Sequence, residues 1–166
     1  MLPIPEYLSS LAKSGQCFIQ AARRKDPDWR RDVLDIIQNP HGVGVDTTGL
    51  FTEISVARLR ESLAPVGRKG AEDLLKLIAV GSLFNGPDVQ FIESDPALSR
   101  AVDEALDQCG PGVEYFTNHG HAHDGSPESF LVSGFHFESL AVTLYDICLI
   151  AVGSDRILIA WRFEDA

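Results

Sequence analysis

The spacing of apolar residues changes character near the middle of the chain. In the first half, apolar residues recur every three or four positions, which is the spacing of one helix face. Asp26 and Pro27 before the second such segment form a helix start, with Asp26 as the N-cap. Pro65 ends the third segment. We therefore predict helices over residues 5–25, 26–39, 54–63 and 70–84.

The second half mixes one strong helical signal with β-rich runs. Residues 95–109 are predicted to form a helix, because Asp95 caps it, Pro96 occupies its first turn and Gly110 follows its end. The outer face of this helix carries Asp103, Glu104 and Asp107. Apolar and β-branched residues predict a strand over 88–94 and an extended segment over 129–137.

The last 22 residues predict a β-hairpin. Two β-rich runs are joined by Gly153-Ser154-Asp155, which is a turn sequence. Ile157, Ile159 and Trp161 alternate with Leu158, Ala160 and Arg162, so both faces of the last run are largely apolar. Such a strand is expected at the centre of a sheet, with helices covering at least one side.

These elements together predict an α+β fold. N-terminal helices are followed by a mostly antiparallel sheet, one acidic helix packs against that sheet, and the chain ends in a β-hairpin. We expect one domain over 1–166, with a helical part over about 1–84 and a β-rich acidic part over about 85–166.

Composition narrows the class of protein. Apolar residues make up 45% of the chain and charged residues 23%, which is typical of a globular protein. The longest apolar run, ICLIAV, is six residues long, so no membrane span is expected. No signal peptide is recognisable, and the odd number of cysteines (Cys17, Cys109 and Cys148) favours reduced thiols. A cytoplasmic location follows as an expectation.

Charge is distributed unevenly along the chain. The net charge is −10; residues 1–83 contribute +1, and residues 84–166 contribute −11 from 3 basic and 14 acidic residues. The negative electrostatic field of this half repels nucleic acids and anionic lipids and attracts cationic proteins. The basic stretch over 23–31 does not change this expectation, because Asp26 and Asp28 interleave with its cations and Asp32 follows them directly.

The most conspicuous local motif is the sequence HGHAHD. On a strand, His119, His121 and His123 would point the same way and reach one cation together with Asp124, and zinc accepts these ligands. The motif resembles the HxHxDH signature of metallo-β-lactamase-type hydrolases, but its last two residues are inverted, so we reject membership of that family. The alternative interpretations are a flexible loop, a pH-sensitive loop or a partner-contacting loop.

No other stretch predicts a catalytic residue, so a catalytic function is not the favoured interpretation. The sequence predicts a non-catalytic acidic binding protein, similar in type to bacterial immunity proteins that neutralise a basic toxin, such as a nuclease, by capping its active site. The predicted partner-binding residues are Asp103, Glu104, Asp107, Glu114, Tyr115, Asp124, Glu128, Glu164 and Asp165. No cofactor is expected under this interpretation. Two alternatives remain: a small metal-dependent hydrolase that uses His119, His121 and His123, for which zinc is a possible metal, and a scaffold subunit of a larger complex.

Overall fold

A computed structural model of the chain describes residues 1–124 and 129–165. Over these residues the protein has seven helices and six strands. In chain order they are α1 Glu6–Ser14, β1 Cys17–Arg23, α2 Trp29–Gln38, β2 Val43–Gly44, α3 Val56–Ser62, β3 Ala64–Val66, α4 Arg68–Val80, α5 Val89–Ser94, α6 Pro96–Asp107, β4 Glu114–Thr117, α7 Gly120–His123, β5 Tyr145–Val152 and β6 Arg156–Glu164.

The six strands form one antiparallel sheet in the order β2-β1-β6-β5-β4-β3. The predicted hairpin is its centre: β5 pairs with β6 along its whole length, from Tyr145 opposite Glu164 to Val152 opposite Ile157. Both faces of β6 are buried, as the alternation of apolar residues predicted. The mixed α+β fold with a C-terminal hairpin is confirmed.

Helices cover both faces of the sheet. The first face packs against α1, α4 and α6 through a core that includes Leu8, Leu74, Leu98 and Leu149. The opposite face packs against α2 and α3. Each strand of the hairpin contributes alternate residues to the two cores. The acidic helix α6 lies against the first face, because its buried residues belong to the core on that face.

The segment over 5–25 is not a single helix, so that prediction was wrong. The helix ends at Ser14, and Cys17–Arg23 forms β1, which pairs antiparallel with β6. Cys17, Phe18 and Ile19 are consecutive buried residues, a run that suits a strand with both faces covered. Helical spacing of apolar residues extends into this run by coincidence, and pairing with the hairpin decides its conformation.

Three further predictions of local structure were also wrong. Residues 89–94 form α5 instead of a strand, because Asp88 caps a short helix by accepting a hydrogen bond from the Phe91 N–H group. Helix α2 begins two residues later than predicted, with Asp28 as its N-cap. The predicted extended segment over 129–137, all of which the structure describes, forms no strand, and one isolated bridge links Phe137 to His119.

Candidate functional site

Several of the predicted partner-binding residues meet around one arginine. Arg68, at the start of α4, donates hydrogen bonds to Asp107 Oδ1 at 2.9 Å and Glu72 Oε2 at 3.1 Å, and lies 3.5 Å from Asp103 Oδ1. Helix α6 therefore presents its carboxylates beside the N-terminus of α4. Glu104 lines the same shallow depression as Asp103 and Asp107.

Strand β4 extends this region toward the sheet edge. Glu114 is exposed and, with Arg68, lines a groove where β3 ends and β4 begins. Tyr115 is only 6% exposed, and its hydroxyl lies 3.5 Å from Arg68 Nη1. Tyr115 therefore packs into the core beneath the groove and does not project toward a partner.

We call Asp103, Glu104, Asp107 and Glu114, with Arg68 at their centre, the acidic surface. The side chains of Asp103 and Asp107 are 55% and 70% exposed, so both carboxylates face solvent despite their contacts with Arg68. Burial alone would lower the pKa of Arg68, but hydrogen bonds to Asp107, Tyr115 and Glu72 raise it above its ordinary value. Arg68 is thus permanently charged, and it neutralises only part of the surrounding acid.

Of the other predicted partner-binding residues, those that the structure describes lie outside the acidic surface. Glu114 is paired with Val152 at the turn end of the central hairpin, whereas Asp165 follows Glu164 at the open end. The seven-residue step along β5 between these ends corresponds to about 23 Å. Asp124 lies elsewhere, 3.6 Å from His136 Nε2, and Glu128 lies outside the described residues.

Glu164 is a buried structural residue. Its carboxylate accepts hydrogen bonds from Leu83 N at 2.8 Å, Phe84 N at 3.0 Å and Ser82 Oγ at 2.9 Å, and it pairs with Arg162 Nε. Burial raises its pKa, but these donors outweigh burial and hold the pKa below its ordinary value. Arg162 in turn donates to Ile78 O near the end of α4, so the pair joins the hairpin to the loop that follows this helix.

Glu164→Gln is expected to lower the free energy of unfolding by about 2 kcal/mol, because the amide cannot accept all four hydrogen bonds and leaves Arg162 buried without its counter-charge. Chemical denaturation monitored by circular dichroism would measure the change. Asp165→Asn, which alters the exposed neighbour, serves as the control and should shift stability by less than about 0.5 kcal/mol. Equal effects of the two variants would contradict the structural role of Glu164.

The histidines occupy three different environments. Residues Gly120–His123 form a single helical turn and not a strand, so the three side chains do not line one strand face. The His119 and His121 rings contact each other, with a centroid separation of 4.7 Å. His123 Nε2 lies 2.7 Å from Ser62 O, whereas His119 Nδ1 accepts a hydrogen bond from the backbone N–H of His121. Among residues 1–124 and 129–165, no three histidine, cysteine, aspartate or glutamate side chains form a group that could hold a metal ion.

His119 is fully buried among aromatic rings. Phe135 stacks on it with a centroid separation of 4.2 Å, and Phe130 and His121 approach edge-on at 4.9 and 4.7 Å. Burial, followed by the nearby His121 and His136, lowers the pKa of His119 to about 3. Because Nδ1 accepts a hydrogen bond, the proton of the neutral ring is on Nε2, which has no hydrogen-bond partner within the described chain.

A second polar group in the interior, Asp146, was missed by the sequence analysis. It is completely buried and accepts hydrogen bonds from Trp161 Nε1 at 3.0 Å, Leu140 N at 3.1 Å and Asn118 Nδ2 at 3.2 Å. Asn118 also accepts from Cys148 N at 2.9 Å. A charged residue inside an otherwise apolar strand was the sequence signal for this network.

The cysteine thiols are buried and unreactive. Burial raises the pKa of Cys17 and Cys109 to about 11, and raises that of Cys148 further above its ordinary value. All three are free, and Cys148 packs in the core as predicted. Thiols with raised pKa values are poor nucleophiles at neutral pH, so these positions serve packing.

Comparison of the chain with models of protein families, with curated proteins and with solved structures finds no match. No described helix has the length and apolar character that crossing a bilayer requires.

Proposed function

We propose that the protein is a non-catalytic inhibitor of the immunity type, which neutralises a basic toxin domain by docking the acidic surface onto its cationic active site. The observation that supports this proposal is the cluster of exposed carboxylates around Arg68. Nuclease active sites carry the cations that hold phosphates, and exposed carboxylates on an inhibitor occupy the same positions.

The charge balance of the region supports attraction to a cation. Among the residues that line the two depressions or pair with Arg68, Glu72 and the four carboxylates of the acidic surface carry five negative charges, against two positive charges from Arg68 and Arg100. Arg68 also holds Asp103 and Asp107 in place, so the surface is ordered before a partner arrives. Preorganised charge raises the association rate and reduces the entropy lost on binding.

The interior carboxylates have structural roles that account for their burial. Asp146 and Glu164 accept several hydrogen bonds each within the fold, and Asp73 is held by Lys69 and Ser129. A carboxylate that acts as a general acid or base must reach a substrate with its own oxygen atoms. The oxygen atoms of these interior carboxylates are engaged by donors of the fold itself. The carboxylates that remain available to a partner are those on the surface.

The proposal is tested by comparing how well the protein and variants without surface carboxylates neutralise a toxin. The chain is co-expressed with the product of each adjacent reading frame in its native genome, and growth identifies a toxin that it neutralises. The triple variant Asp103→Asn, Glu104→Gln, Asp107→Asn is then expected to bind the purified toxin about 10-fold to 100-fold more weakly, mainly through slower association. Surface plasmon resonance at 0.05 and 0.5 M salt measures the association and dissociation rates and shows how far salt screens the attraction.

A matched control separates the acidic surface from overall charge. The variant Asp35→Asn, Glu53→Gln, Glu61→Gln removes the same three charges from exposed positions on the other side of the sheet. It should retain neutralisation and affinity within about threefold. The proposal fails if the two triple variants weaken binding equally, or if no adjacent product is toxic and neutralised.

A further inference from the structure

A second exposed surface lies at the open end of the central hairpin. Phe84, Val142 and Leu144 are 52%, 57% and 64% exposed, a high exposure for large apolar side chains. The Phe84 ring meets the Tyr145 ring edge-on at a centroid separation of 5.8 Å, and Tyr145 directly follows Leu144. We call Phe84, Val142, Leu144 and the half-buried Tyr145 the apolar end patch.

The backbone holds these side chains outward. The Phe84 N–H group donates to Glu164 Oε1 at 3.0 Å, and Leu144 N donates to Asp165 Oδ1 at 3.0 Å. Val142 N donates to Leu50 O at 2.8 Å. Each apolar side chain therefore projects from a hydrogen-bonded backbone position and not from a frayed segment.

An aromatic ladder supports the patch from within. The ring centroids of Tyr145 and Phe137 lie 5.9 Å apart, and those of Phe137 and Phe135 lie 6.3 Å apart. Phe135 in turn stacks on the buried His119. The rings run from the interior to the exposed Phe84. Rigid aromatic surface of this kind loses little conformational entropy on binding and commonly anchors protein partners.

The charges beside the patch are negative. The segments that form it, residues 82–88, 138–146 and 164–165, contain three exposed carboxylates (Asp88, Glu138 and Asp165), two buried ones (Asp146 and Glu164) and no lysine or arginine. Within the described chain, the cations that contact these segments are Arg162, which is buried against Glu164, and Arg58, which donates to Ser139 O. Asp165 lies at the rim itself, since it accepts the Leu144 N–H.

The negative charge beside the apolar end patch distinguishes between two possible binding partners, a second copy of the chain and a basic segment of another protein. A second copy of the chain would bring two acidic rims together and add to the repulsion between two molecules of net charge −10. A segment that alternates basic and apolar residues satisfies both features, because its apolar side chains cover Phe84 and Leu144 while its cations meet Asp165. We propose that the apolar end patch binds a basic, amphipathic peptide segment of a protein partner. This inference is independent of the proposed inhibitor function, since it concerns the opposite end of the hairpin.

The experiment uses a defined probe and the full-length protein. A nine-residue peptide of alternating leucine and arginine is titrated into ¹⁵N-labelled protein, and amide shifts are followed by NMR. We expect the largest shifts at Phe84, Val142, Leu144 and Asp165, and at least tenfold weaker binding when glycine replaces leucine or glutamate replaces arginine in the peptide.

Variants of the protein complete the test. Phe84→Ser with Leu144→Ser should weaken binding of the leucine–arginine peptide at least tenfold, whereas Tyr7→Ser, which alters an exposed ring on α1, should leave it unchanged. An unchanged dispersion of amide signals shows that each variant is folded. Shifts centred elsewhere, equal binding of all three peptides, or a dimer in sedimentation equilibrium that disappears in the double variant would each overturn the proposal.

Discussion

Asp146→Ala is expected to lower the free energy of unfolding by about 4 kcal/mol, a large part of the stability of a typical domain. The carboxylate is the common acceptor for the Trp161 indole N–H, the Leu140 backbone N–H and the Asn118 amide. Alanine removes all of these acceptors in a site without access to water, so several buried donors lose their partners together.

The same contacts position part of the surface. Leu140 and Ser139 belong to the loop that leads to Val142 and Leu144, and both donate hydrogen bonds to Asp146 Oδ1. Burial raises the pKa of Asp146, although hydrogen bonds from Trp161 and Leu140 oppose that shift. Loss of the carboxylate should therefore release this loop from the sheet as well as destabilise the core.

Asp146→Asn separates the hydrogen bonds from the charge. Its amide oxygen can still accept from Trp161 and Asn118 while its NH₂ group faces Leu140 N, so a loss of about 2 kcal/mol is expected. Urea denaturation measures both variants. The NMR signal of the Trp161 indole N–H should remain shifted downfield in the asparagine variant. If Asp146→Ala costs less than about 1 kcal/mol, this network is not a major source of stability.

The protein is expected to lose about 2 kcal/mol of stability between pH 7 and pH 5 through His119 alone. The folded state holds the pKa of this ring at about 3, against 6.5 for an exposed histidine. As the pH falls through 6.5, the unfolded chain therefore takes up a proton that the folded chain does not. The contribution of His119 is present above pH 6.5 and is lost progressively as the pH falls toward 3.

Asp146 contributes with the opposite sign. Because its pKa is raised in the folded state, it favours folding below its ordinary value of 3.8, and this advantage is lost as the pH rises through the folded pKa. A pH profile of the unmodified protein combines both effects. The contribution of His119 must therefore be obtained by difference from a variant.

His119→Phe provides that difference. Phenylalanine suits the ring cluster of Phe130 and Phe135 but does not titrate, so its stability should fall about 2 kcal/mol less than that of the unmodified protein between pH 7 and pH 5. His41→Gln, at an exposed position outside the cluster, is the control and should reproduce the original profile. Parallel profiles for the His119 variant and the unmodified protein would contradict a buried neutral imidazole.

Long elements with strong local signals were predictable from sequence. Helix α6 has Asp95 as its cap and Pro96 in its first turn, and it forms as predicted. The terminal hairpin also forms, because a turn between two apolar runs brings neighbouring segments together without distant contacts. The central place of β6 followed from the apolar residues on both of its faces.

Short segments were decided by contacts distant in sequence. Cys17–Arg23 carries apolar spacing compatible with a helix, yet it forms β1 because the edge of β6 offers it a ladder of hydrogen bonds. The HGHAH motif forms one helical turn, and His119 is buried beneath Phe135, a residue 16 positions later. No local pattern indicates that burial.

The sequence by itself determined the α+β class, the central hairpin and the acidity of the second half, because periodicity, turn residues and charge are local or additive properties. Only the tertiary structure decided how the carboxylates are used. It gathers Asp103 and Asp107 around Arg68, buries Glu164 against Arg162, and leaves Asp165 beside an apolar surface at the other end of the hairpin. The physical reason is that the energy of a charge depends on its partners and its exposure to water, and both are set by residues far away along the chain.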